Sequence, residues 1–170
     1  MIEMSPPELF EAVEEGQRLR GWIANGYAQV EYLLGDIITN AFKLPQYEAL
    51  LARLPHRIEK RISMVRDILE IDGYFKGHGE EIHWILAAFE EHHQTRNLLD
   101  HGFCTAYFTP DGDFGLEFRK WHRDGDRDTE MKCTFRLIDL EYERTQLKNV
   151  SQRALALTYV IHQELGLVGL

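Results

Sequence analysis

The residues best equipped for chemistry fall in one short stretch. Arg96, Asn97, Asp100 and His101 lie within six positions, with His93 just before them. They offer a guanidinium to grip an anion, a carboxamide to orient, a carboxylate, and an imidazole able to take up or give a proton. On a helical wheel of about 100° per residue, Ile82, Ile85, Leu86 and Phe89 share a face, which continues as His93, Arg96, Asn97 and Asp100. A stripe that is apolar for two turns and polar for two either leaves the core or lines a cavity. Arg96 must then find water, a carboxylate or an anion. His101 is about 140° from Arg96 on an ideal helix, so the two share a face only if the helix ends there. Gly102 is the expected cap, in the left-handed conformation, and the helix dipole favours a protonated imidazole at that end. A simpler arrangement uses the same spacing: Arg96 and Asp100, four apart, form an intrahelical ion pair, and His101 bonds the last carbonyls of its own helix.

The elements that position these groups are legible in the hydrophobic pattern. Ser5-Pro6-Pro7-Glu8 reads as a helix start with Ser at the N-cap. Leu19, Ile23, Tyr27, Val30, Leu34, Ile37 and Ala41 form one stripe, weakened by Gly16, Gly21 and Gly26, so a break near Gly16 to Gly21 is one expectation. Lys43-Leu44-Pro45 ends the run. Ile58, Ile62, Val65 and Leu69 predict a second helix stopping near Asp72-Gly73, and a third runs from about Gly79 to His101. Alternation then takes over at Phe114, Leu116 and Phe118 and at Met131, Cys133, Phe135 and Leu137, after a continuous apolar run from Phe103 to Thr109. Pro110-Asp111-Gly112-Asp113 and the stretch Arg123 to Asp128 supply turns. Asp139 is placed to cap a last helix with the stripe Leu147, Val150, Ala154, Leu157, Ile161 and Leu165. The expected fold is mainly α, a bundle of about four to five helices with a three-stranded antiparallel meander, about 103–138, before the last helix. The whole chain, 1–170, reads as one domain.

Composition limits the partners. Nineteen Lys plus Arg against 28 Asp plus Glu give a formal net charge of -9, which excludes a broad electrostatic footprint for nucleic acid but leaves room for a local phosphate pocket. No apolar run approaches a membrane span and no export leader is visible. The two cysteines, Cys104 and Cys133, fall in strand-like stretches as small apolar residues, which suggests a reducing, cytoplasmic setting.

Thr95-Arg96-Asn97-Leu98-Leu99-Asp100-His101-Gly102 resembles the signature of HEPN domains, an Arg followed by a polar residue, then a His four to six intervening positions after the Arg. Four residues intervene here, and Asn97 is the polar residue. The motif ends the third helix of a helical domain whose first helix carries Trp22 and Val30-Glu31-Tyr32-Leu33-Leu34. The likeness covers roughly 17–102 and 139–167; the β insert departs from it. It implies a metal-independent endoribonuclease without cofactor, a toxin or antiviral effector with an antitoxin or regulatory partner, and a site composed from two protomers. RNA is cut when its own 2′-hydroxyl attacks the adjacent phosphate, so the protein supplies proton transfer and charge neutralisation. The resemblance assigns proton transfer to His101, phosphate binding to Arg96 and orientation to Asn97, with His93, Asp100 and Glu31 in support.

Other readings stay open. Glu80-x-x-His83 and Glu90-x-x-His93 have the spacing of metal-bundle ligands, but lie about 15 Å apart on one helix and so cannot build one di-metal centre. A metal held by His93 and other helices, or a non-catalytic HEPN-like interaction module, are the alternatives. Glu31 sits at the edge of the first stripe, a boundary position or a partner for Arg96. Trp84 falls opposite the apolar face of its helix, which suggests an interface. Phosphate loops of the Gly-rich type, Cys-x-x-Cys pairs and Gly-x-Ser-x-Gly elbows are missing from the sequence.

Overall fold

A computed structural model describes residues 6–50, 53–108, 113–124 and 127–167, without the side chains of Pro6, residues 92–94 and Asp124. Four α-helices, α1 (Pro6–Ala41), α2 (Ile58–Glu70), α3 (Gly79–His101) and α4 (Leu137–Glu164), are joined by two short 3-10 turns, Pro45–Tyr47 and Tyr74–His78. Three strands, β1 (Phe103–Phe108), β2 (Phe114–Asp124) and β3 (Arg127–Arg136), lie between α3 and α4 as an antiparallel sheet in the order β1-β2-β3. This is the mainly helical class with a meander before the last helix. None of the described helices is long and apolar enough to cross a membrane. The chain divides into two compact units: residues 1–26 with 92–148, and residues 27–91 with 149–170.

The second unit is a four-helix bundle whose contacts are explicit. Tyr27 of α1 meets Phe89 of α3 edge to face at 5.6 Å. Arg66 of α2 donates to Glu90 of α3 at 2.6 Å. Asp36 of α1 takes the His162 Nε2 of α4 at 2.9 Å. Ile62, Val65, Ile68, Ile82, Ile85, Leu86 and Ile161 fill the space between, each at most 4% exposed. Trp84, for which the sequence suggests an interface, has a partner within the unit. The Arg153 guanidinium lies 3.7 Å from its ring centroid, and Arg153 is held by Glu81, with Nε donating at 2.6 Å. Its remaining exposure is 37%.

In the first unit α1 covers one sheet face. Leu116 and Phe118 are fully buried, Arg20 lies over the Phe118 ring at 5.4 Å, and Gln17 donates to the Cys104 sulfur at 3.7 Å. Cys104 and Cys133 both stand opposite Phe118, one on each side. Two strand spacings, roughly 10 Å, separate them, too far for a disulfide. Burial pushes both thiols above their ordinary range. On the opposite face the Glu117 carboxylate is buried between Lys132 and Arg119, each 2.5 Å away, and these partners hold it below the usual carboxylate range. Beyond Arg119, where β1 stops, β2 and β3 continue as a two-stranded ribbon out to Asp124 opposite Arg127, with Trp121 70% exposed.

Several local expectations are corrected. Helix α1 runs unbroken through Gly16 and Gly21. A Cβ at Gly16 would meet the Leu116 side chain at 2.8 Å, and one at Gly26 would meet Leu147 at 2.8 Å, so both glycines serve close packing, while Gly21 faces open space. Gly102 is not left-handed, since Gly166 alone among the described residues has positive φ. It is needed because a Cβ there would lie 2.4 Å from the Leu98 carbonyl oxygen. Leu137 begins α4 instead of extending β3. Asp139 caps from inside the helix: its carboxylate accepts the Arg136 backbone N–H at 3.0 Å, the reach-back half of a capping box. Ser5 and the turn residues 110–112 and 125–126 lie outside the described residues. Gly21→Ala is expected to stabilise by about 0.5–1 kcal/mol, and Gly16→Val and Gly26→Val to destabilise by about 1–3 kcal/mol. Urea unfolding of the three variants reads the contrast; a destabilised Gly21→Ala would refute this account of α1.

Candidate functional site

Helix α3 changes its surroundings along its length. In the first unit its buried side is carried by Leu98 and Leu99, 8% and 0% exposed, which leaves Arg96, Asn97 and Asp100 half-buried beside them. The polar stripe read from the sequence is therefore neither expelled nor sunk in the core. Arg96 Nε is 3.0 Å from the Asp100 carboxylate, and Arg96 Nη1 donates to Asn97 Oδ1 at 3.2 Å. Both ion-pair side chains keep about a fifth of their surface, 20% and 21%.

His101 is exposed, the last residue of α3. The helix is regular through it: the Gly102 N–H donates to the Leu98 carbonyl at 2.8 Å. Arg96 and His101 therefore keep their separation of about 140° around the axis, and one chain does not turn both toward one point. Among the described residues the imidazole bonds none of the helix's last carbonyls; the Gly102 N–H goes to Leu98, and Leu99 accepts from Arg20, whose Nε donates at 2.5 Å. Arg20 is the residue sequence reasoning passed over. A long basic side chain between the stripe positions Leu19 and Ile23 was the available signal. Of the remaining candidates, Glu31 is half-buried on α1 in the second unit, and the side chain of His93 lies outside the described residues.

Other histidines are tied to carboxylates in the second unit. His78 Nε2 is 3.0 Å from Glu164, which also accepts from the Tyr74 hydroxyl at 2.7 Å. These bonds, Tyr74's first, hold the Glu164 carboxyl below its ordinary range, while burial and then Glu164 push the Tyr74 phenol above its own. Of the Glu-x-x-His pairs, Glu90 is engaged with Arg66. Among the described residues no group of three or more His, Cys, Asp or Glu is placed to hold a metal ion. Comparison with known proteins finds no matching family model, no matching curated protein and no matching solved structure.

Removing Arg20 strands the Leu99 carbonyl. Arg20→Ala should cost about 1–3 kcal/mol, measured by chemical denaturation, and an unchanged midpoint would show that water replaces the guanidinium freely. Glu164 gives a pH dependence. Its folded value is depressed, so its contribution is present above the ordinary value of 4.5 and fades as the pH falls through the lower, folded value. Glu164→Gln should flatten the acid limb of thermal midpoint against pH, and an identical limb would remove Glu164 from the account.

Proposed function

We propose that this chain is a metal-independent endoribonuclease of HEPN type, a toxin or defence effector acting in the cytoplasm as a homodimer. The observation that carries the reading is the grouping of Arg96, hydrogen-bonded to Asn97 and ion-paired with Asp100, in the last two turns of α3 beside the exposed terminal His101. A guanidinium with a fifth of its surface open is positioned to exchange its carboxylate for a phosphate oxygen, a geometry that Arg serves bidentately. An exposed imidazole is free to transfer a proton.

Because α3 stays regular, Arg96 and His101 of one chain diverge, and the reaction requires a second copy to complete the site. Trp22, Ile138 and Tyr142, all in the unit that holds the motif, are 55%, 68% and 62% exposed, apolar surface suited to pairing. In the dimer one His101 accepts the proton of the RNA 2′-hydroxyl as its oxygen bonds to the adjacent phosphorus. The other His101, protonated, gives its proton to the departing 5′-oxygen, leaving a cyclic phosphate and a free 5′-hydroxyl. Arg96 offsets the charge that grows on the phosphorane oxygens.

The Arg96–Asp100 pair itself favours a second reading, a non-catalytic interaction module in which this turn only holds α3 together. Cleavage of a mixed RNA substrate in EDTA separates the two. The nuclease reading expects His101→Ala and Arg96→Ala each to lose about 10²–10⁴-fold in rate, with light scattering giving twice the 19.9 kDa of one chain. The structural reading expects no RNA cleavage by the wild type, and a cost of about 0.2–0.5 kcal/mol when Arg96 is removed. An active wild type with equally active variants would place the chemistry elsewhere.

A further inference from the structure

A second site is built at the start of α2, wholly within the bundle unit. A groove of about 680 Å³ is lined by Arg53, Leu54, Pro55, His56, Arg57 and Lys60, and further along α2 by Ser63, Met64 and Asp67. Three permanent cations and an imidazole stand against one carboxylate, in a chain whose formal net charge is -9. Among the described residues, no hydrogen bond or ion pair engages the side chains of Arg53, His56, Arg57 or Lys60. Other basic side chains of the unit are spoken for: Arg66 holds Glu90, Arg153 holds Glu81, and Lys76 holds Asp72. The groove also has a fixed wall. Arg61 Nε donates to the Pro55 carbonyl at 2.7 Å, and the Arg61 N–H donates to the Arg57 carbonyl at 3.1 Å, fastening the 53–57 segment to the first turns of α2.

Such a surface attracts acidic partners at its Arg53, Arg57 and Lys60 end, because clustered cations that lack internal partners keep their charge for a ligand, while Asp67 lies further along α2. Leu54, Pro55 and Met64 add an apolar side to the same groove, with Leu54 38% exposed. A positively charged groove that tracks the backbone is the common element of single-stranded nucleic-acid binding, and the apolar side chains beside these cations give bases a surface to pack on. A chain this acidic needs such a local anchor if it is to hold a polyanion at all.

We propose that this groove binds the phosphodiester backbone of single-stranded RNA through Arg53, Arg57 and Lys60, with bases packed on Leu54, Pro55 and Met64. The inference takes from the proposed function only that the ligand is RNA; it does not depend on His101 or Arg96 being catalytic. The probe is a fluorescent 2′-O-methyl oligouridylate of about twelve nucleotides, which cannot be cut by 2′-hydroxyl attack, so binding is read without cleavage. Anisotropy should show saturable binding by the full chain that weakens with salt. Replacing Arg53, Arg57 and Lys60 together by Ala should weaken it at least about tenfold and reduce the slope of log affinity against log salt by about 2, at about 0.7 per lost phosphate contact. Arg57→Glu with Lys60→Glu should abolish it, and thermal midpoints near wild type show that these exposed substitutions leave the fold intact. Absence of saturable binding by the wild type, affinity within about threefold of wild type in the triple variant, or full competition by AMP at equal nucleotide concentration would each overturn the proposal. Failure of cleavage with binding intact would fall on the nuclease reading alone.

Discussion

The carbonyl groups of a helix's last turn need donors wherever the chain goes next, and at the end of α3 that requirement organises the first unit. The chain passes from α3 into β1 through a single residue, Gly102, whose N–H closes one more helical turn onto Leu98 while its missing side chain leaves room for the same carbonyl. The next carbonyl, Leu99, is taken by Arg20 from α1, and the same guanidinium lies over Phe118 of the central strand. One cation therefore joins first helix, third helix and sheet. Neither of these carbonyls depends on His101, which stands exposed at the helix end.

The Arg96–Asp100 pair sets the terms on which the neighbouring motif could act. Intrahelical pairs at this spacing contribute only about 0.2–0.5 kcal/mol, so the pair is a small part of what holds α3. An ion pair at this turn is compatible with both readings, so the distance alone does not choose between them.

Much of the fold was legible because burial imposes periodicity. The stripe from Leu19 to Ala41 is buried at every position, and the alternation of Phe114, Leu116 and Phe118 marks the face that meets α1. What escaped was pairwise: whether Gly16 interrupts a helix or admits Leu116 depends on a side chain a hundred residues away. The same holds for Gly102, read as a left-handed cap when its neighbour's carbonyl is the constraint. At the candidate site the motif and the Arg96–Asp100 spacing were visible, but Arg20 was not, because its role rests on a carbonyl that sequence does not position. The cations at 53–60 gave no signal of a site in the sequence, because the groove they line depends on the segment that Arg61 fastens through Pro55.

The three tryptophans are divided between the units. Trp22 and Trp121 belong to the first and stand 55% and 70% exposed, whereas Trp84 belongs to the second and is roofed by the Arg153 guanidinium. Indole emission responds to hydration and to nearby cations, so the molecule carries an internal spectroscopic label for each half. Closing a partner over Trp22, or melting the ribbon that holds Trp121, would alter the red, water-exposed part of the spectrum. Loosening of the bundle would release Trp84 from its cation and register in the other part, which makes the order in which the two halves come apart optically resolvable without any added dye.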